Sequence, residues 1–161
     1  MNTKESLQDC PIQEVDITDA AIAQQVHALQ LAAYAVEAEL IGYPALPPLH
    51  ETPADLQHSG ERFLACRQGE EIIGAASFVL ANGVLDIGRM VVSPALARRG
   101  IGKHLLRALE DAAGEGTTVT VSTAEKNIPA VRLYEGAGYR LAERVMLPDG
   151  LVIVRFRKEI R

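Results

Sequence analysis

The stretch that most restricts what this chain can become runs from Val91 to Arg107. An apolar extended run closes at Ser93-Pro94, a short loop carries Arg98 and Arg99, and a helical pattern opens at Gly100-Ile101-Gly102 and continues through Lys103, Leu105 and Leu106. A strand that feeds a helix through so short a connection delivers several backbone N–H groups to one helix N-terminus. Those groups lack partners inside the helix, and the aligned peptide dipoles make that end positive, so the corner favours an anion such as a phosphate. Glycines at 100 and 102 let the backbone approach the anion and let successive N–H groups point inward. Arg98, Arg99 and Lys103 add cationic side chains in a chain whose net charge is −5.

Two familiar phosphate loops are excluded. A Walker loop needs Gly at position 97 and Ser or Thr after Lys103, where this chain has Ala97 and His104; a dinucleotide fingerprint needs a third glycine where Leu105 stands. The acidic balance argues against wholesale nucleic-acid binding, which leaves the basic loop as a local feature.

At 161 residues, with 48% hydrophobic and 23% charged side chains, the composition is that of one globular domain spanning residues 1–161. Cys10 and Cys66 are the only cysteines and have no framework spacing, so they read as reduced thiols. Met1 to Asp9 lacks the apolar core of a leader, and no window approaches the roughly 18 apolar residues of a membrane span. The expectation is a soluble, cytoplasmic protein without a membrane partner.

Ile12, Val15 and Ile17 suit a first strand, and Asp16 or Thr18-Asp19 offers a cap for a helix from Ala20 to Leu40 whose apolar face is Ile22, Val26, Leu29, Ala33 and Val36. His27 within it reads as a partly exposed helical residue. The segment from Gly42 to Pro53 holds Pro44, Pro47, Pro48 and Pro53, which exclude a continuing helix; Tyr43, Leu46 and Leu49 need something to cover. It reads either as a packed connection or as a lid. Glu37, Glu39, Glu51 and Asp55 make its neighbourhood acidic, which suits a cationic amine or is simply solvated charge.

Three extended runs follow, at Arg62–Arg67, Glu71–Leu80 and Val84–Val92, the last two joined by Asn82-Gly83, a strong hairpin signal. Small residues at Gly74-Ala75-Ala76 suggest a close neighbour. After the glycine loop come a helix from about Ile101 to Ala113, a β-branched strand at Thr117–Thr123, and a short helix from Asn127-Ile128-Pro129 through Tyr134. Two final strands, near Arg140–Met146 and Leu151–Lys158, turn at Asp149-Gly150.

The loop Ala97-Arg98-Arg99-Gly100-Ile101-Gly102 resembles the acyl-CoA pyrophosphate loop of the GNAT acetyltransferase superfamily, Gln/Arg-x-x-Gly-x-Gly/Ala, departing at its first position, Ala97. Asn127, Ala130, Leu133, Tyr134, Gly138 and Tyr139 fit the family's second signature, Asn-x-x-Ala-x-x-Leu-Tyr-x-x-x-Gly-Phe/Tyr, in the same order along the chain. The resemblance covers about residues 62 to 158. It implies an α/β (α+β) fold: a central mixed, mostly antiparallel, splayed sheet of about seven strands flanked by helices.

The resemblance further implies acetyl transfer from acetyl-CoA, as cosubstrate, to a primary amine on a small molecule or a protein. The pantetheine arm would lie between the splayed strands, against Met90, Val91 and Val92 and beside Asn127, Ala130 and Tyr134. The pyrophosphate would meet the N–H groups of Arg98, Arg99, Gly100, Ile101, Gly102 and Lys103. The backbone N–H of Met90 would polarise the thioester, and Tyr134, with a reference pKa of about 10, would protonate the leaving thiolate.

Asp86 lies four residues before Met90, so simple alternation puts both side chains on one face. Carboxylate bases of the family often occupy its position; alternatively Asp86 is a solvated strand residue, or binds the substrate ammonium while a water chain takes the proton. An acyl-CoA-binding regulatory module without turnover and a nucleotide-binding protein are the competing readings. His27, His50, His58 and His104 show no ligand spacing, so no metal is expected. A homodimer is compatible with all of this.

Overall fold

Each extended run read from the sequence is a strand in the computed structural model, which describes residues 10–161. They are β1 (Ile12–Val15), β2 (Arg62–Gln68), β3 (Glu71–Ala81), β4 (Val84–Val92), β5 (Thr118–Ala124), β6 (Arg140–Met146) and β7 (Val152–Glu159). The helices are α1 (Ala20–Ile41), α2 (Pro53–Gln57), α3 (Ile101–Ala113) and α4 (Ile128–Gly136), with short 3-10 turns at Pro47–His50 and Pro94–Leu96. The leader expectation for Met1 to Asp9 lies outside the described residues. Among those described, no helix is long and apolar enough to cross a membrane.

The strands form one open, seven-stranded sheet in the order β1-β2-β3-β4-β5-β7-β6. All neighbours are antiparallel except β4 and β5, which are parallel, and β7 inserts between β5 and β6. The β3–β4 hairpin turns at Asn82 and Gly83 with φ of +54° and +76°, the left-handed pair that follows the natural twist of two strands.

Both faces of the sheet are covered, which is why residues 72–78 of β3 are buried without alternation. On one face Ile73, Phe78, Leu85 and Ile87 pack with Leu105, Leu106 and Leu109 of α3 and with Tyr134. On the other, Phe63, Ala65, Ile72 and Val91 pack with Val26 and Leu29 of α1 and Leu56 of α2. The small residues of β3 have the expected use: a Cβ on Gly74 would lie 2.7 Å from Ile101 Cγ2 and 3.2 Å from Leu105 Cδ1.

Helix α1 is capped by Asp19, whose Oδ1 accepts from the N–H groups of Ala21 and Ile22, and it ends at left-handed Gly42. One member of its expected apolar face is corrected. Val36 is 54% exposed, because the last turns of α1 overhang an opening in the sheet instead of its surface.

The proline-rich segment is more ordered than its composition suggests. Thr52 and Asp55 form a reciprocal capping box that starts α2, with Pro53 at a position whose missing N–H costs nothing. Tyr43 donates its hydroxyl to Asp149 Oδ2 at 2.5 Å, tying this segment to the β6–β7 turn.

Candidate functional site

Strands β4 and β5 pair only from Val84–Thr118 to Ile87–Val121. Beyond that point β4 runs on to Val92 beside β3, and β5 runs on to Ala124 beside β7, so the two part. The gap is the floor of a cleft of about 960 Å³. One wall is Met90, Val91 and Val92; the other is Val121 to Ala124, Asn127, Ala130 and Tyr134; α1 roofs it with Tyr34, Val36, Glu37 and Leu40. The exposed apolar side chains of Val36 and Leu40 therefore face this cleft.

The glycine loop closes the far end. Arg98 has φ of +66° and Gly100 φ of +84°, two left-handed residues just before the first turn of α3, the alternation that points consecutive N–H groups into one concavity. Ala97, Arg98, Gly100, Ile101, Gly102 and Lys103 all line the cleft. Arg99 has an exposed side chain and is not on its wall. The donor set of this corner, backbone amides with Arg98 and Lys103, suits a diphosphate.

Tyr134 lies in the middle of the cleft wall, 3% exposed, edge-on to Tyr139 at 5.9 Å and tilted against Phe156 at 6.1 Å. Burial, with Tyr34 and Glu37 nearby, pushes its phenol above the ordinary tyrosine value, so it is protonated at neutral pH. Asn127 caps α4, its Oδ1 accepting from Ala130 N–H at 3.3 Å, and its Nδ2 donates to Glu37 Oε1 at 2.6 Å.

The alternation that put Asp86 beside Met90 does not survive. The β3–β4 register shifts between Ser77 and Phe78, so that Arg89 opposes Ser77 while Ile87 opposes Phe78, and Gly88 is the extra residue. Side chains before the bulge are thereby out of phase with those after it. Ile87 and Met90 pack toward α3, and Asp86 points to the opposite face. Its Oδ1 accepts from Thr120 Oγ1 at 2.6 Å and lies 3.7 Å from Arg155 Nη2.

Asp86 belongs instead to a smaller adjoining cavity of about 450 Å³, shared with Pro47, Glu51, Ser59, Glu61 and Val79. Pro48, Gly88 and Arg89 line both spaces, so the bulge is where they meet. Arg89 Nη2 bonds Glu51 Oε2 at 2.9 Å and lies 3.3 Å from Glu61 Oε2, and the guanidinium sits 5.7 Å over the Phe63 ring. Glu61 also accepts from Ser77 Oγ at 2.5 Å. The proline-rich segment thus supplies walls to both cavities through Leu46, Pro47, Pro48 and Glu51.

Sequence reasoning missed Tyr34, Glu61 and Arg89 altogether and saw Glu37 and Glu51 only as general acidity. Glu37 is half-buried on the cleft roof, and loss of hydration raises its carboxyl above the ordinary glutamate value, partly offset by the Asn127 bond. Among the described residues, no group of three or more His, Cys, Asp or Glu is placed to hold a metal ion.

A family model described as "Acetyltransferase (GNAT) family" matches residues 23–139. The UPF0157 protein YqkA of Bacillus subtilis (strain 168) is 40% identical over 138 residues; the match covers 86% of this chain but only 40% of that protein, so the chain spans about two-fifths of its relative's length. The ribosomal-protein-S18-alanine N-acetyltransferase of Escherichia coli superposes with a TM-score of 0.68 at 17% identity, covering 93% of both chains. An aminoglycoside 6'-N-acetyltransferase, solved with coenzyme A, gives 0.70 at 16% identity over 94% of this chain and 97% of its own.

Proposed function

Because this chain belongs to the GNAT family of acetyltransferases, we propose that it transfers an acetyl group from acetyl-CoA directly to a primary amine in a ternary complex. The observation that carries the reading is the parting of β4 from β5 after Ile87 and Val121, which opens onto the left-handed loop at Arg98 and Gly100 within one continuous cleft. A pantetheine arm fits the first part as an added strand, and a diphosphate fits the second. That a fold neighbour was solved with coenzyme A supports the choice of ligand.

In this reading the thioester carbonyl lies against the N–H of Met90, which stabilises the oxyanion as the amine attacks. Tyr134 donates its proton to the departing thiolate. Its raised pKa is tolerable for that task because the thiolate forms in the same desolvated space and is raised with it. The acceptor enters through the smaller cavity, where Glu51, Glu61 and Asp86 outnumber Arg89 and favour a cation. Asp86 holds the incoming ammonium there before it gives its first proton to water and passes the bulge at Gly88 into the main cleft as the neutral amine.

The test is thiol release from acetyl-CoA with a panel of amines and the purified protein. Release that depends on the amine supports the transferase. Binding of acetyl-CoA with no release for any amine favours the regulatory acyl-CoA-binding module.

A further inference from the structure

Where the acetyl group is transferred, a proton must leave the amine, and the bulge at Gly88 has turned Asp86 away from the face of Met90. Resting on the transferase reading, we infer that Glu37 of α1 takes that proton. Glu37 lines the same cleft as Met90 and Tyr134. Asn127 Nδ2 fixes its Oε1 at 2.6 Å, while among the described residues Oε2 has no hydrogen-bond partner and no cation stands within ion-pairing reach. A cleft-lining carboxylate with one oxygen anchored and the other unbonded is oriented to accept a proton. Asp86 already shares its Oδ1 between a hydroxyl and a nearby guanidinium.

The surroundings suit the task. Tyr34 on the same helix, Tyr134 from α4, Arg89 from β4, Glu51 from the proline-rich segment and Glu61 from β2 form the charged and titratable neighbourhood. Arg89 is taken up by Glu51 and Glu61 and does not neutralise Glu37. Burial raises the Glu37 carboxyl above its ordinary value, which makes it a stronger base than a solvated glutamate.

The step balances without any further reactant. The amine attacks in its neutral form, its ammonium proton having already passed to water; its lone pair forms the C–N bond, and the carbonyl π pair moves onto oxygen against the Met90 N–H. The N–H proton passes to Glu37 Oε2. The carbonyl then re-forms as the C–S bond breaks, and the sulfur takes the proton of Tyr134. Water returns the proton on Glu37 to the Tyr134 phenolate.

The experiment is kcat against pH with acetyl-CoA and an amine that the wild type acetylates, for wild type, Glu37→Gln, Glu37→Asp and Asp86→Asn, with coenzyme A affinity measured alongside. Glu37→Gln lowers kcat by about 10²-fold or more and loses the rise of kcat with pH at its acidic end, with coenzyme A bound as before. Glu37→Asp keeps that rise at a reduced rate. An acidic limb that persists in Glu37→Gln, or that disappears in Asp86→Asn instead, overturns the inference. So does a loss of coenzyme A affinity in Glu37→Gln that accounts for the lost rate, since that describes a structural role. A wild type that binds acetyl-CoA and acetylates no amine overturns the transferase reading itself, and this inference with it.

Discussion

Gly74 of β3 lies under Ile101 of α3 so closely that a Cβ there would stand 2.7 Å from Ile101 Cγ2. The first turn of α3 is thereby pressed onto the sheet at the point where its amides face the cleft. Gly74→Val is expected to lift that turn, destabilising the protein by about 1–3 kcal/mol through overpacking. It should also weaken coenzyme A binding, because the cradle moves with the helix. Thermal unfolding and calorimetric titration of the same variant check both; a normal Tm would mean that α3 moves aside without strain.

Tyr134→Phe keeps the ring against Tyr139 and Phe156 and removes only the hydroxyl. The expected outcome is a fall in kcat of about 10²-fold or more with little change in acetyl-CoA affinity, the mark of an interaction made as the leaving group departs. An unchanged kcat would remove Tyr134 from the reaction.

A Cβ on Gly102 would meet Leu133 Cδ2 at 3.4 Å, an ordinary contact, and both residues line the cleft, where a longer side chain takes up ligand space. Gly102→Leu should therefore exclude the diphosphate. In the wild type, coenzyme A at about 100 times its Kd should stabilise the fold by about 2.7 kcal/mol, and ATP should do far less. The variant should lose the thermal shift by coenzyme A while keeping its own Tm within a few degrees. A larger shift with ATP would favour the nucleotide-binding reading.

Much of this arrangement is legible in the chain. The hairpin at Asn82-Gly83, the limits of β4 and α3, and the cap at Asn127 follow from local backbone preferences, which neighbouring residues suffice to express. Asp86 is different. Its face depends on one extra residue at Gly88, and a bulge is a property of two strands in register, invisible in one. Glu37 was hidden for a related reason: α1 reads as an ordinary amphipathic helix until the parting of β4 and β5 gives its last turns a cleft to face. The capping box at Thr52 and Asp55 was written in the sequence but masked by the density of prolines around it.

Cys66 is fully buried beside Cys10, and burial pushes its thiol up to about 12 from an ordinary value of 9.0. The unfolded thiol ionises first, so the stability tied to keeping it neutral is complete below pH 9.0 and is lost as pH rises toward about 12. Unfolding measured across that window should show a shallower alkaline decline in Cys66→Ala than in the wild type. Alkylation of native Cys66 at pH 8 should be far slower than that of a free thiol; rapid labelling would contradict its burial.

The arginine pairs of β2 and β4 should respond very unequally to removal. Arg62 meets Glu14 at 2.8 Å, but both side chains are about half exposed, and such pairs contribute roughly 0–1 kcal/mol. Arg89 is 11% exposed and separates Glu51 from Glu61, themselves 25% and 18% exposed. Arg89→Ala leaves two poorly hydrated carboxylates facing each other and should cost about 3–5 kcal/mol, as when one partner of a buried pair is removed. Salt should reduce the small Arg62→Ala effect and leave most of the Arg89→Ala effect, because screening acts on exposed charge. A penalty for Arg89→Ala that is small and screened by salt would mean that the guanidinium is dispensable as a spacer between Glu51 and Glu61.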